Sequence, residues 1–327
     1  MIDIYVILFA LLLFGLMYLY LYLANRYHII DQPNSRSSHV VHTIRGGGII
    51  FPIALLIQFL FSDFQYSWFT TGLLLISTVS FMDDLKNQDV KLRFAVHLIA
   101  VALLFYQLQL YVFPWYIIGL AFIFVIGGIN AINFMDGING ITGGYSLVAL
   151  LSLWYIDISH VQFINPRIIA AAVIANLVFN FFNFRKVARC FAGDVGSVSM
   201  AFILLFFILQ LIVVTGNLNY ILLLLVYGLD VVSTVLFRVL RKENIFEAHR
   251  THFYQYLANE KNISHLRVAL GYCLVQLLVN LMVIFLAIDK ISYLALILTI
   301  TGTFFVAFRI IYQGKKQLFA GIHIGDN

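Results

Sequence analysis

The chain has 327 residues, of which 62% are hydrophobic and only 11% charged, with a formal net charge of +5. Soluble domains carry roughly 45–50% apolar and about 25% charged residues, so this sequence has too few charges to cover a water-facing surface. That excludes a soluble enzyme. It excludes a disordered or nucleic-acid-binding chain more firmly, because both depend on polar residues that are missing here.

A bilayer core of about 30 Å takes about twenty apolar residues per helix. Read in chain order, the apolar stretches fall at roughly 2–24, 47–62, 67–82, 92–110, 114–130, 141–158, 167–184, 197–215, 219–238, 267–288 and 291–312. The sequence therefore predicts an all-α, polytopic integral membrane protein with about eleven transmembrane helices, forming one membrane-embedded domain over 1–327. Asp3 stands where a cleavable signal would be basic, and the apolar stretch after it is too long, so the first stretch reads as a spanning helix. Cys190 and Cys273 fall in different segments and imply neither a disulfide nor a zinc framework. All but Arg167 and Lys290 of the twenty Lys and Arg residues lie on one side of these spans. By the positive-inside rule the N-terminus is outside and the C-terminus cytoplasmic. The net charge is then a topology signal, and no nucleic-acid partner is expected.

Five polar segments interrupt the apolar pattern, and all fall in loops on the basic side, at about 25–46, 83–91, 130–140, 185–196 and 239–266. A carrier usually places its polar groups at the midplane, whereas these form a layer at one interface, as an enzyme with a cytosolic substrate would have. Asp83 and Asp84 are adjacent carboxylates whose repulsion needs a cation, or Lys91 and Arg93, to offset it; the plain alternative is a solvated loop start. Asn130, Asn133 and Asp136 recur every three residues and would share one helix face, either around a ligand or in polar helix packing. Asp194, among Gly193, Gly196 and Ser197, reads as a carboxylate with room for a metal or as the cap of a glycine-rich turn. Arg36, His39, Arg45, Lys91, Arg93, Arg250 and His252 could surround a polyanion, and Gly46–Gly48 could offer backbone N–H donors to it. Acids able to hold Mg²⁺ inside a basic rim are what phosphoryl transfer requires.

Asp83-Asp84-x-Lys86, Asn130-x-x-Asn133-x-x-Asp136-Gly137-x-x-Gly140 and Gly193-Asp194-x-Gly196-Ser197 occur in one order and spacing. That set resembles the polyprenyl-phosphate N-acetylhexosamine-1-phosphate transferases (glycosyltransferase family 4), the membrane superfamily that includes the phospho-MurNAc-pentapeptide translocase. The resemblance runs from about Asp31 to Gln255. It implies that polyprenyl (undecaprenyl) phosphate attacks the β-phosphorus of a UDP-sugar, releasing UMP. It implies Mg²⁺ as cofactor, with Mn²⁺ as the alternative ion, Asp194 as main ligand and Asn133 as second. Asp83 would deprotonate, position or covalently relay the lipid phosphate, Asp84 would support the metal–phosphate cluster, and Lys91 would hold a phosphate. Asp136 and Asn139 would lie near the nucleotide, and Arg250 and His252 would meet the sugar or diphosphate. The family setting implies a bacterial inner membrane with a cytoplasmic active site, the bilayer, UDP-sugar and polyprenyl phosphate as partners, and a second copy of the chain as a candidate one.

Two departures stand out. The family's Pro-Thr-Pro-Arg-Gly-Gly reads here as His42-Thr43-Ile44-Arg45-Gly46-Gly47, without either proline. In the run Arg250-Thr-His252-Phe253-Tyr254-Gln255, Tyr254 and Gln255 replace two histidines of the GlcNAc-handling members. That form looks like the branch that primes O-antigen or capsule with a 6-deoxy-N-acetylhexosamine, which would suit a less polar contact set. The alternatives are a UDP-GlcNAc-specific member serving teichoic acid or enterobacterial antigen synthesis, and a transporter, for which Asp230 in the ninth stretch is the main candidate. The CDP-alcohol phosphotransferase pattern fails, because the Ala-Arg and later aspartates it needs after Asp136-Gly137 are missing.

Overall fold

Prolines fall only where helices start in the described sequence: Pro114 precedes α5 (Trp115–Met135), Pro166 opens α7 (Pro166–Asn183), and Pro52 sits in the first turn of α2 (Ile50–Leu60). A first turn has no intrahelical use for the N–H that proline lacks, so the apolar runs stay unbroken. The computed structural model describes residues 4–31, 42–245, 247, 249–286, 290–314 and 318–319. The other helices are α1 (Ile4–Arg26), α3 (Ser67–Leu85), α4 (Val90–Gln107), α6 (Ile141–Ser159), α8 (Gly193–Thr215), α9 (Leu225–Leu240), α10 (Phe253–Asn259), α11 (His265–Leu286) and α12 (Ile291–Gln313). Strands β1 (Ile30–Asp31) and β2 (Thr43–Ile44) pair antiparallel, and Ile44 also bridges Cys190.

The protein is a polytopic, all-α membrane protein. Nine helices among the described residues are long and apolar enough to cross a membrane, counting Leu218–Leu240 as one. The other two expected spans fall on Gly47–Leu60, which is short, and on α3, which carries Thr70, Ser77, Ser80, Asp83 and Asp84 among its buried residues. Two boundaries move in ways that matter for function. Helix α5 runs on to Met135, so Asn130 and Asn133 are helical while Asp136 lies just past its end. Helix α8 starts at Gly193 rather than at 197, so Asp194 sits in its first turn instead of a loop.

Helix α8 is enclosed on every face, with Val195 to Leu209 buried without interruption. A helix apolar all round belongs at the centre of a bundle. Phe69 of α3 stacks on Phe206 of α8 with ring centroids 3.9 Å apart. At the polar end, the chain after β2 runs against the approach to α8: Phe191 N–H donates to Ile44 O at 2.8 Å, Gly47 N–H to Phe191 O at 2.8 Å, and Gly48 N–H to Ala192 O at 3.0 Å. The amides of Gly47 and Gly48 are therefore spent on backbone carbonyls and do not form the expected anion cradle. Their glycine identity has another cause, because a Cβ on Gly48 would lie 2.2 Å from the Gly196 Cα. Backbone meets backbone there, and neither side can yield.

Gly48→Ala is accordingly expected to cost about 1–3 kcal/mol of stability, as overpacking does. Thermal unfolding in detergent checks this, with Gly119→Ala, where nothing lies within 4 Å of an added Cβ, as the tolerated control.

Candidate active site

A helix leaves its first amide N–H groups without intrahelical partners. At α8 these are satisfied from another helix: the Asp84 carboxylate, at the end of α3, accepts the N–H of Asp194 and of Val195, each at 2.9 Å. It also takes Arg45 Nε at 2.6 Å, and its side chain is fully enclosed. Asp84 thus holds the α8 terminus in place, and its negative charge meets the positive end of the helix dipole. That is a more structural role than the one the motif implied.

Arg45 and Arg93 interleave with three carboxylates. Arg45 binds Asp84 and reaches Asp194 Oδ1 at 3.5 Å. Arg93 binds Asp83 Oδ2 at 2.7 Å and reaches Asp194 Oδ2 at 3.5 Å. Burial works to lower the Arg45 pKa, but the Asp84 and Asp194 carboxylates hold it above its ordinary value. Asp83 also accepts the N–H of Gln88 at 2.7 Å, which fixes the turn between α3 and α4. The carboxylate pair is thus offset by Arg45 and Arg93, while Lys91 stands exposed at the start of α4.

Asn133 joins the same end of α8, its Oδ1 accepting from Ser197 Oγ at 2.7 Å. Ser197 lies one turn beyond Asp194, so Asn133 packs against the face of α8 that carries Asp194. The donor set suits a hard cation. Asp194 is the most open of the three carboxylates, and its two guanidinium contacts are long. An amide oxygen has a second lone pair free beside the Ser197 bond. No cluster of three or more His, Cys, Asp or Glu side chains that could hold a metal occurs among the described residues. A metal here would draw on two protein oxygens and fill the rest with phosphate and water, as Mg²⁺ does.

Several expected site residues are placed elsewhere. Asn130 is exposed and donates to Ile126 O of its own helix at 2.9 Å, so the three-residue repeat does not form one binding face. Asn139 is buried, its amide donating to Arg185 O and Lys186 O at 3.1 Å each, which ties the turn before α6 to the segment after α7. Both side-chain amides are engaged within the protein. Asp136 is half-buried beside Asn133, and burial, reinforced by the Asp84 charge, pushes its pKa up to about 6. Arg250 is exposed, and Arg36 and His39 lie outside the described residues. His252 is buried, with Nδ1 3.4 Å from Asp230 Oδ1. Its neighbour His249 is driven to about pKa 4 by burial and by His252, so it is neutral at pH 7. Tyr254 is completely enclosed.

Asp230 has a definite purpose that its sequence context did not reveal. It accepts the N–H of Phe253 and of Tyr254 at the start of α10, at 2.9 and 3.2 Å, and the Tyr272 hydroxyl at 2.5 Å. Arg309 of α12 stands 3.9 Å away. The signal was present, since an acid and a base inside apolar spans usually partner each other. A carboxylate bound this fully is an anchor, which removes the main support for a transporter.

A family model described as glycosyl transferase family 4 matches residues 66–212, the stretch that carries Asp83, Asp84, Arg93, Asn133 and Asp194. Over that stretch the chain is similar to glycosyl transferase family 4. Among its relatives, a protein of Bacillus subtilis named "Probable undecaprenyl-phosphate N-acetylglucosaminyl 1-phosphate transferase" is 23% identical over 248 residues, covering 70% of this chain and 69% of that one. A phospho-N-acetylmuramoyl-pentapeptide-transferase of Thermotoga neapolitana is 29% identical over 175 residues, 47% of this chain and 56% of that protein. The enzyme of the same name from Dictyoglomus thermophilum is 32% identical over 173 residues, 47% and 55% of the two chains. The alignments with these last two thus span a little over half the length of those relatives.

The two adjacent aspartates should separate by experiment. Asp84→Asn weakens the support of the α8 terminus and leaves Arg45 poorly compensated, so it is expected to cost about 2 kcal/mol or more in thermal unfolding. Asp83→Asn should cost clearly less. For Asp136, a folded pKa above the unfolded value means stability that is full below about pH 4 and is lost as pH rises through about 6. Asp136→Asn cannot ionise, so its stability relative to wild type should improve by on the order of 2 kcal/mol between pH 4 and 7, measured by chemical denaturation.

Proposed function

We propose that this protein is a family 4 transferase that moves a sugar 1-phosphate, of an N-acetylhexosamine or its 6-deoxy form, from a UDP-sugar to polyprenyl phosphate, releasing UMP. The observation that carries the proposal is the convergence of Asp83, Asp84 and Asp194 with Arg45 and Arg93 in one cluster beside Asn133. The Bacillus subtilis relative's name, which specifies undecaprenyl-phosphate and 1-phosphate transfer, supports the same reaction.

An oxygen of the lipid phosphate attacks the β-phosphorus; that bond forms as the bond from the β-phosphorus to the bridging oxygen breaks, and its electron pair leaves with UMP. A lipid phosphate is largely ionised at neutral pH, so the attack needs orientation more than a base. Phosphoryl transfer is catalysed chiefly by positioning and by cations set against the phosphate oxygens. Arg45 and Arg93 are suited to this: each is anchored by one carboxylate and turns another N–H toward Asp194. Asp83 fixes Arg93, and Asp84 fixes both Arg45 and the helix end that carries Asp194. Asp194 and Asn133 would hold Mg²⁺ or Mn²⁺, which when bound neutralises diphosphate charge. The reading places the cluster at the cytoplasmic face of a bacterial inner membrane, N-terminus outside, in cell-surface polysaccharide synthesis. The Bacillus subtilis relative's name favours N-acetylglucosamine, and the likeness of the Tyr254-Gln255 run to the 6-deoxy branch, a likeness of motif and not a sugar contact, favours a 6-deoxy sugar.

The test is UMP release by purified protein given undecaprenyl phosphate and a panel of UDP-N-acetylhexosamines, 6-deoxy forms included. Release is expected to require both the lipid and Mg²⁺ or Mn²⁺, and to stop in Asp194→Asn while that variant stays folded and inserted. Wild-type turnover in Asp194→Asn, or release indifferent to the lipid, would refute the assignment. A preference within the panel decides between the two sugar classes.

A further inference from the structure

Tyr254 stands where the motif suggested a sugar contact, yet it is fully enclosed. Its backbone N–H is bound by Asp230, which in turn takes the Tyr272 hydroxyl and faces Arg309. Arg309 donates to Ser233 Oγ and Thr234 Oγ1 of α9, each at 2.8 Å, and to Thr251 O at 2.7 Å. A buried acid and base from α9 and α12 thereby fix the segment Thr251–Tyr254 from both sides. From that fixed base the Tyr254 ring extends to the far end of α5, where its hydroxyl donates to Phe134 O at 2.9 Å.

Phe134 follows Asn133 directly, and its carbonyl is one of those a helix leaves unsatisfied in its last turn. The contact is tight: a Cβ on Gly137 would lie 2.2 Å from the Tyr254 hydroxyl oxygen. The turn that carries Asn133 and Asp136 is therefore pressed against one hydroxyl group whose own position is set by the Asp230–Arg309 pair.

We infer that Tyr254 is a positioning residue, a strut that sets the α5 terminus and with it Asn133 and Asp136, and that Gly137 is glycine to admit it. It touches neither substrate nor metal. The functional part of this inference rests on the transferase reading; the contact itself does not.

Three variants of the full-length protein test it: Tyr254→Phe, Gly137→Ala, and the two combined. Tyr254→Phe is expected to speed amide exchange over residues 135–140. It should also lower kcat on the order of tenfold and raise the Mg²⁺ concentration needed for half activity, with KM for polyprenyl phosphate unchanged. Gly137→Ala should be more damaging, and the double variant should recover part of its loss in both melting temperature and kcat, because the clashing oxygen is gone. UMP with Mg²⁺ should protect the 135–140 amides of wild type more than those of Tyr254→Phe. Wild-type exchange and kcat in Tyr254→Phe would overturn the inference, as would a double variant no better than Gly137→Ala. A changed ranking of UDP-sugars in Tyr254→Phe would also overturn it, by placing the side chain against the sugar. If wild type turns over no UDP-sugar, the transferase reading fails; the exchange, melting and UMP-protection comparisons then still decide the strut.

Discussion

The site depends on one carboxylate accepting the first free amides of a helix that belongs to another part of the chain. Asp84 closes the N-terminus of α8 and holds Arg45 at the same time. A helix end enclosed by protein cannot leave its amides bare, because an unpaired buried N–H is costly. Satisfying them with a side chain from α3 locks α3 to α8, and Asp194, in the first turn of α8, is placed as a consequence. The charges that build the helix end are thus the same charges that build the site.

The same device appears a second time. Asp230, from α9, accepts the first amides of α10, with Arg309 as its basic counterpart in place of Arg45. The two anchors differ in exposure. Arg45 is partly open and has contacts to spare for Asp194, whereas Arg309 is enclosed and spends its donors on Ser233, Thr234 and Thr251. Buried pairs of this kind add little net stability against an apolar replacement, but losing one partner is costly. Their value here is geometric: one pair borders the candidate site, and the other fixes the segment whose Tyr254 hydroxyl meets the end of α5.

Much of the candidate site was legible in the sequence because its residue types are costly in a membrane and need a reason to be there. Asp83, Asp84, Arg45, Arg93, Asn133 and Asp194 were all singled out, and they converge. The readings that failed did so for local reasons. The repeat of Asn130, Asn133 and Asp136 assumed one continuous helical face, but α5 ends at Met135 and Asn130 bonds back to its own helix. Gly46–Gly48 suggested an anion cradle, and the structure spends two of those amides on Phe191 and Ala192. Asn139 and Tyr254 have the chemistry of substrate contacts but the placement of internal braces. A side chain's donors are visible in a sequence; where they are spent is not.

Composition and the length of the apolar stretches determined that this is a helical membrane protein, because too few charges are present to cover a water-facing surface, and motif order pointed to a family resemblance, because spaced acids and amides at span ends are rare without a ligand. The division of labour among those polar residues was decided only by the tertiary structure. Asp83 and Asp84 are chemically identical neighbours, and nothing local distinguishes them. One fixes an arginine at the edge of the cluster and the other closes a helix more than a hundred residues away, a difference that exists only once α3, α4 and α8 are packed together.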